Sequence, residues 1–168
     1  MVLLADRPVE VDDRIVPGHG EGDLVLGRRG QSAIATLVER QSRFVMLVRL
    51  PYGRLANDVK DALSAVIRTL PVALRRSLTW DRGKEMGEHR RFTIDTGVPV
   101  YFCDPRSPWQ RGTSENSHGL IRQYLPKGTD LTAYSQRQLN CIADELNGRP
   151  RQTLGWCTPS EAFTALVR

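Results

Sequence analysis

Three acidic residues stand where a carboxylate could take part in chemistry. Asp23 interrupts an apolar, strand-like run at 21–27, where an unpaired acid is disfavoured. Asp81 closes the strand-like run LTWD, and Glu115 falls in the first turn of a predicted helix, where the helix dipole favours its ionised form. Brought together, these carboxylates would form an all-oxygen site for a pair of hard cations, Mg²⁺ or Mn²⁺. Such a site performs phosphodiester chemistry without a protein nucleophile.

Each of these acids also has an ordinary structural interpretation. Asp23 could be a solvent-facing strand residue, Asp81 a turn residue and Glu115 a helix-start residue. Glu85 and Glu88 are rival acids, but both fall on a charged helix face. Position alone favours the ordinary interpretations, so spacing does not decide in favour of a metal site.

The first half of the chain predicts an antiparallel meander followed by a helix. Three runs rich in β-branched residues, at 21–27, 33–40 and 43–50, are joined by short polar connections. The next segment, 55–70, has apolar residues at helical spacing. Asp23 is therefore expected on the first strand of the meander.

The second half of the chain alternates short strands with helices. A strand is predicted at about 76–81, a weaker helix at about 84–95 and a strand over 98–103. A loop with two prolines, 104–112, then precedes a helix that runs to about Tyr124. Two further helices begin at capping boxes, in which Ser or Thr is followed three residues later by Gln or Glu: Ser135 with Gln138, and Thr158 with Glu161.

This order of elements indicates an α/β fold with a mixed five-stranded sheet flanked by helices. The ribonuclease H-like arrangement is one fold with that order, although many mixed-sheet domains share it. Residues 1–17 are polar and contain two prolines, so they are expected to form an extended lead-in. Residues 18–168 are expected to form a single core domain.

The composition is that of a globular protein with a basic body. Apolar residues make up 40% and charged residues 26% of the 168 residues, and the net charge is +5. Residues 1–24 contain six acids and two bases, so the remainder carries +9, which suits a polyanionic partner. The three cysteines are scattered like reduced thiols, and no signal peptide or membrane-length apolar run is present. We therefore expect a cytoplasmic protein with no membrane partner.

Several stretches of the sequence resemble the IS-thirty family of bacterial insertion-sequence transposases. The most specific are GHGEGDLVLG, LTWDRGKEM and a long block that contains PWQRGTSEN. The matching stretches occur in order and without large gaps, at 18–27, 36–48, 78–86, 100–131 and 146–163. The resemblance implies a ribonuclease H-like catalytic core with an Asp-Asp-Glu triad and divalent metal ions.

Carried over by position, the triad is Asp23, Asp81 and Glu115, with thirty-three residues between the last two. In related transposases and integrases a basic residue seven positions after the Glu contacts DNA, and here that residue is Arg122. Seven residues are about two helical turns, so Arg122 and Glu115 would share a helix face. His118 lies on the same face, where the family more often carries Asn. We expect it to orient a water or a phosphate rather than to bind metal.

The PWQRG loop offers further contacts to DNA. Trp109, Gln110 and Arg111 combine an aromatic face with a cation, which could grip a distorted DNA end by stacking and charge. Trp109 could equally be a core aromatic residue that pins the loop. Arg149 and Arg151 could contact the DNA backbone or pack on the protein surface, and packing is slightly favoured.

The leading functional hypothesis is a transposase core that hydrolyses a phosphodiester at a transposon end and joins the freed 3′-hydroxyl to target DNA. The resemblance implies DNA as partner and a homo-oligomer. Two departures motivate a rival hypothesis, a catalytically impaired fragment that binds and regulates full-length transposase. Gly20 replaces a Trp of the family pattern, which is expected either to loosen the site or to mark a decaying copy. Because the sequence begins almost at the core, we also expect it to lack the helix-turn-helix regions that family members carry ahead of it. A ribonuclease H-type nuclease acting on RNA–DNA hybrids would share only the fold and the metals.

Overall fold

A computed structural model of the chain describes residues 2–3, 16–80, 86–103 and 112–167, with the backbone alone at 2 and 112–116. The strands are β1 Val2–Leu3, β2 His19–Leu26, β3 Ala33–Glu39, β4 Val45–Arg49, β5 Ser77–Trp80 and β6 Val100–Phe102. The α-helices are α1 Ala56–Ile67, α2 His89–Thr96, α3 Gly112–Tyr124, α4 Gln136–Asn147 and α5 Pro159–Leu166. Among the described helices, none is both long enough and apolar enough to cross a membrane.

The strands of the described ranges form one mixed sheet in the order β1-β6-β5-β2-β3-β4. Strands β2, β3 and β4 form the predicted antiparallel meander, and β5 pairs parallel with β2 and with β6. The five predicted strands are all present, and the two-residue β1 adds a sixth by pairing parallel with β6. Val2–Leu3 thus joins the sheet from within the predicted lead-in, and the boundary at residue 18 stays a prediction.

The helix boundaries follow local chemistry that is visible in the sequence. Both predicted capping boxes are confirmed. The Ser135 hydroxyl accepts a hydrogen bond from the Gln138 N–H at 3.1 Å, and the Gln138 side chain accepts one from the Ser135 N–H at 2.8 Å. Thr158 and Glu161 exchange the same two bonds at the start of α5. These reciprocal bonds satisfy N–H groups that have no partner inside the helix.

Two apolar cores cover the two faces of the sheet. Helices α1 and α2 pack on one face, over a core of large side chains that includes Leu63, Leu78, Trp80, Phe92 and Phe102. Helices α3 and α4 pack on the other face, over a core that includes Val25, Ile34, Leu47, Ile121 and Leu139. Because side chains alternate along a strand, Glu21 and Asp23 face the same side of β2 as Val25. The first predicted carboxylate therefore lies on the α3 side of the sheet.

Outward backbone groups of the edge strand β4 are covered by amide side chains of α4. Asn147 accepts a hydrogen bond from the Val45 N–H and donates one to the Val45 carbonyl, both at 2.9 Å. Gln136 accepts from the Arg49 N–H at 2.8 Å and donates to the Leu47 carbonyl at 2.7 Å. Bound in this way, β4 is less available to pair with a strand of another molecule.

The other side of β2 carries two glycines with different packing. A Cβ built on Gly22 would lie 2.2 Å and 2.3 Å from ring carbons of Trp80, so the indole fills the space that a side chain would need. A Cβ on Gly20 would come no closer than 3.7 Å to the nearest atom, the Ser77 carbonyl oxygen. Gly20 also keeps its place between β3 and β5, opposite Glu39 and Leu78. Within the described residues, the strand register is therefore intact at the position where the sequence suggested loosening.

Replacing each glycine by alanine should give unequal effects. Gly22→Ala must displace the buried Trp80 ring, and we expect it to lower the free energy of unfolding by about 1–3 kcal/mol. Gly20→Ala meets only ordinary contacts and should change that free energy by less than about 1 kcal/mol. Urea denaturation of the two variants measures the difference. Equal destabilisation would contradict the packing described for Trp80.

A buried ion pair lies beside the apolar core on the α3 side of β2. The Arg40 Nη1 atom is 2.9 Å from the Glu21 Oε1 atom, and their side chains are 3% and 1% exposed. Arg40 directly follows β3, and its N–H donates to the His19 carbonyl at 2.9 Å. A neighbouring polar contact joins the His19 Nδ1 atom to the Ser77 Oγ atom at 2.7 Å. These polar contacts involve His19 and Glu21, the residues of β2 that precede Asp23 on the same side of the strand.

Removing one partner of the buried pair should cost more stability than a surface change of the same kind. Glu21→Gln removes the carboxylate charge 2.9 Å from the buried Arg40 guanidinium, so we expect a loss of about 3 kcal/mol in the free energy of unfolding. Adding Arg40→Met should recover part of that loss because the buried cation is then removed as well.

The matched control is Glu145→Gln on the exposed side of α4, which should change stability by less than about 0.5 kcal/mol. Chemical denaturation of the single and double variants completes the comparison. A Glu21→Gln effect as small as that of Glu145→Gln would show that the pair does not hold β2 in place.

Candidate active site

Asp23 occupies the central strand of the sheet, opposite Thr36 on β3. Its side chain is 21% exposed, so the carboxylate reaches solvent from an otherwise buried strand. The Asp23 Oδ1 atom accepts a hydrogen bond from the Leu24 N–H at 2.8 Å, which fixes the orientation of the carboxylate. The second oxygen, Oδ2, is directed at helix α3.

Helix α3 brings His118 to this carboxylate. The His118 Nε2 atom lies 3.8 Å from Asp23 Oδ2 and 3.4 Å from the Thr36 Oγ1 atom. Thr36 is fully buried, and its hydroxyl donates to the Asp23 carbonyl at 3.3 Å. The imidazole is 25% exposed. A polar cluster of His118, Thr36 and Asp23 therefore ties α3 to the strand that carries the predicted ligand.

The other two predicted carboxylates are described only in part. The backbone of Glu115 belongs to α3, one turn before His118, and its side chain lies outside the described residues. Asp81 lies wholly outside them, directly after the last residue of β5. The described part of β5 presents Ser77 and Thr79 to the same side of the sheet as Asp23. Within the described side chains, no three metal-ligating residues come together.

The predicted DNA contacts have different outcomes. Trp109, Gln110 and Arg111 fall outside the described residues, and their roles stay predictions. Arg122 donates from Nη2 to the Leu26 carbonyl at 3.0 Å and from Nη1 to the Leu125 carbonyl at 3.3 Å. Its half-buried guanidinium thus also fastens the end of α3 to the end of β2. The sequence did not indicate this structural role, because the acceptors are backbone atoms.

The two arginines of the NGRPR segment pack as the sequence favoured. Arg149 donates to the Tyr124 hydroxyl at 2.5 Å and to the Gln123 side chain at 3.1 Å. Its guanidinium carbon lies 5.3 Å from the centre of the Tyr124 ring. Arg151 donates to the Leu146 carbonyl at 3.3 Å, and burial together with the nearby Arg149 charge lowers its pKa. The Arg149 contacts join the segment after α4 to the end of α3, and the Arg151 bond joins it to α4 itself.

Sequence reasoning passed over polar residues on the same side of the sheet as Asp23. The Thr36 hydroxyl bonds to the Asp23 carbonyl, and the Glu21–Arg40 pair lies two residues earlier along β2. One signal was available, since β2 begins HGEGD, with a polar residue at every second position. That alternation marks one polar strand face. The partner Arg40 could not be read from it, because its approach depends on the pairing of β2 with β3.

Comparison with known proteins gives the same family at the level of sequence. Residues 13–108 match the Integrase core domain family. The chain is 52% identical over 167 residues to the transposase for insertion sequence element IS1086 of Cupriavidus metallidurans. It is 54% identical over 156 residues to the transposase InsI for insertion sequence element IS30A of Escherichia coli. These alignments confirm the resemblance to IS-thirty transposases.

The alignments cover 99% and 93% of this chain but only 49% and 40% of those two transposases. The chain thus spans about half the length, or less, of the curated relatives it matches. Since those relatives are transposases, the rival hypothesis of a regulatory fragment is not favoured.

Solved structures give the same fold. The catalytic core domain of BIV integrase superposes with a TM-score of 0.62 at 20% identity, covering 88% of this chain and 95% of that one. A chain of the simian T-cell lymphotropic virus intasome in complex with PP2A regulatory subunit B56 gamma gives a TM-score of 0.67 at 16% identity. That match covers 88% of this chain and 55% of the other. The mixed sheet is therefore ribonuclease H-like, and the chain belongs to the Integrase core domain family.

Proposed function

We propose that this chain is the catalytic core of a transposase that cuts and joins DNA with the help of divalent metal ions. The observation that carries the proposal is the contact of α3 with β2. His118 lies 3.8 Å from Asp23, and Glu115 precedes His118 by one helical turn. The identities of 52% and 54% to transposases support the same reaction class.

The proposed triad consists of Asp23, Asp81 and Glu115. Side-chain alternation along β5 supports the inclusion of Asp81, since Ser77 and Thr79 face the side of Asp23 and Asp81 continues that series. Helix geometry supports Glu115, because residues three apart share a helix face. In this proposal the carboxylates would come from β2, from the residue that follows β5 in the sequence, and from helix α3.

The donor chemistry of the site suits a hard cation. Asp23 offers one carboxylate oxygen that is held by the Leu24 N–H and a second at the partly exposed surface. Asp23, Asp81 and Glu115 would hold one or two Mg²⁺ or Mn²⁺ ions through oxygen alone. When bound, such ions activate a water or a 3′-hydroxyl and stabilise the leaving oxygen of a phosphodiester.

The proposed reaction has two steps. Water loses a proton as it attacks the phosphorus at the element end, the P–O3′ bond breaks, and the released 3′-oxygen takes up a proton. That 3′-hydroxyl then loses its proton as it attacks a phosphorus of target DNA, the target P–O3′ bond breaks, and the displaced 3′-oxygen takes up a proton. The protein positions the strands: Arg122, Trp109, Gln110 and Arg111 would contact phosphates and bases near the reacting bond. A homo-oligomer acting in the cytoplasm on element ends and target DNA completes the proposal.

Neutral substitutions in the triad should abolish the activity without unfolding the chain. We expect Asp23→Asn, Asp81→Asn and Glu115→Gln each to slow Mn²⁺-dependent nicking of plasmid DNA by roughly a hundredfold or more, since metal ligands supply several kcal/mol. Asp144→Asn and Glu145→Gln change the same groups on the exposed side of α4 and should leave nicking unchanged. A folded wild-type chain that never nicks DNA, or an Asp81→Asn variant with wild-type activity, would refute the proposal.

His118 is expected to position the Asp23 carboxylate, in addition to the phosphate contact that the sequence predicts for it. His118→Ala is expected to raise the Mn²⁺ concentration needed for half-maximal nicking by roughly 10–100-fold, because the imidazole supports the carboxylate that would bind metal. His118→Asn retains a side chain that can hydrogen-bond and should stay near wild type. Titrations of nicking rate against Mn²⁺ test this. An unchanged metal requirement in His118→Ala would rule out the positioning role.

A further inference from the structure

Four exposed cations gather at one end of the sheet, around the turn that joins β2 to β3. We call the group Arg28, Arg29, Arg54 and Lys127 the cationic tip. Its members come from the β2–β3 turn, the turn before α1 and the loop after α3. In the ranges that the structure describes, none of the four side chains forms an ion pair.

The β2–β3 turn and the loop after α3 are joined by hydrogen bonds. The Arg28 N–H donates to the Thr129 carbonyl at 2.9 Å, and the Gly27 N–H donates to the Ser32 carbonyl at 2.8 Å. The Ser32 hydroxyl accepts from the Leu131 N–H at 3.0 Å. A Cβ on Gly27 would lie 2.1 Å from that hydroxyl oxygen, so this close approach requires glycine. The cations of the two segments are therefore held on one fixed surface.

The third segment brings Arg54 beside the turn. A guanidinium nitrogen of Arg54 lies 3.7 Å from the position that a Cβ on Gly30 would take. Arg54 and Arg49 both line a cleft of about 250 Å³, together with Gln31 and Thr132. Two guanidinium groups with hydrogen-bonding neighbours match the oxygens of a phosphate diester.

Backbone strain marks the turn as well. Arg29 has φ 54° and ψ 23°, in the left-handed region that side chains other than Gly, Asn and Asp rarely adopt. Its side chain is exposed and, within the described structure, forms no hydrogen bond or ion pair that would offset the strain. Residues with strained backbone conformations are often found at binding sites and active sites.

The acidic residue nearest in sequence to the cationic tip, Asp130, is hydrogen-bonded within its own turn. Asp130 follows Thr129, and its carboxylate accepts from the Thr132 N–H at 3.0 Å and the Thr132 hydroxyl at 2.6 Å. These bonds lower the pKa of Asp130. The carboxylate thus stays negatively charged while it caps the turn at 131–133, and among the described residues it forms no ion pair with a cation of the tip.

Strand β2 and helix α3 lead side by side from Asp23 to this surface. Contact begins with Asp23 and His118 and continues one helical turn later with Leu26 and Arg122. It ends just beyond α3, at the bond between Arg28 and Thr129. Arg28 lies five positions after Asp23 and two beyond the end of β2, which corresponds to at most roughly 16 Å, or about five base pairs of duplex DNA.

We propose that the cationic tip binds the phosphate backbone of the DNA duplex whose reacting phosphate lies at Asp23, about five base pairs away from that phosphate. The inference rests on the proposed function and adds a binding surface to it. A duplex lying along β2 and α3 would meet Arg122 first and the tip next. Backbone contacts of this kind fix the register and orientation of DNA without reading its sequence.

Salt-dependent DNA binding in EDTA tests the tip separately from catalysis. The variant Arg28→Gln with Arg29→Asn removes two charges, and Asn suits the left-handed backbone at position 29. With a labelled 30-base-pair duplex of arbitrary sequence, we expect affinity to fall on the order of tenfold. The slope of log affinity against log salt should shrink by about 1.8. Lys127→Gln alone should reduce it by about 0.9.

The matched control is Arg90→Gln with Arg91→Gln, a second exposed arginine pair, on helix α2 at the opposite face of the sheet. It should leave the salt slope unchanged, and thermal melting should show both double variants folded. An equal loss of DNA affinity in both double variants would mean that net charge alone accounts for binding. An unchanged affinity in the tip variant would mean that the tip does not bind DNA. Either result overturns the inference.

Nicking assays separate this inference from the proposed function. If the wild-type chain binds DNA through the tip but never nicks it with Mn²⁺, the catalytic proposal fails while the binding surface stands. If it nicks DNA and the tip variant binds like wild type, the binding surface fails alone. A wild-type chain that does not bind the duplex overturns the binding surface, and nicking with Mn²⁺ then decides the catalytic proposal by itself.

Discussion

The central strand β2 must carry charged side chains through the interior of a sheet that is otherwise apolar. The ion pair between Glu21 and Arg40, 2.9 Å apart and almost fully buried, is what makes this arrangement tolerable. A buried carboxylate without a counter-charge would cost several kcal/mol, enough to rival the net stability of a domain this size. Because Arg40 reaches Glu21 only when β2 and β3 are in register, the pair also fixes that register. The position of Asp23, two residues further along β2, depends on the same register.

A second consequence follows for helix α3. The side of β2 that carries Glu21 and Asp23 becomes apolar again at Val25, which belongs to the core beneath α3 and α4. The helix can therefore bury Ile121 against the sheet while it presents His118 to Asp23 one turn earlier. The change from polar to apolar along a single strand face thus sets where α3 sits. The hydrogen bonds of Arg122 and Arg28 then extend the contact between β2 and α3 to the cationic tip.

Local patterns in the sequence predicted the local structure well. The meander, the capping boxes at Ser135 and Thr158 and the mixed sheet are confirmed, because each depends on residues close together in the chain. The pairing of Val2–Leu3 with β6 was missed, since it joins segments about a hundred residues apart. The bond from Arg122 to the Leu26 carbonyl was missed because any residue could supply that acceptor. For the site, position alone favoured ordinary acids, and the resemblance selected Asp23. The contact of Asp23 with His118 supports that selection.

The central proposal is that Asp23, Asp81 and Glu115 together bind divalent metal. A crystal structure of the chain soaked with Mn²⁺, recorded with anomalous scattering, tests it most directly. The account predicts an anomalous peak within about 2–2.5 Å of a carboxylate oxygen of Asp23, with Asp81 and Glu115 oxygens at similar distances. Mn²⁺ bound elsewhere, or an Asp23 carboxylate without metal while Asp81 and Glu115 point away from it, would contradict the claim.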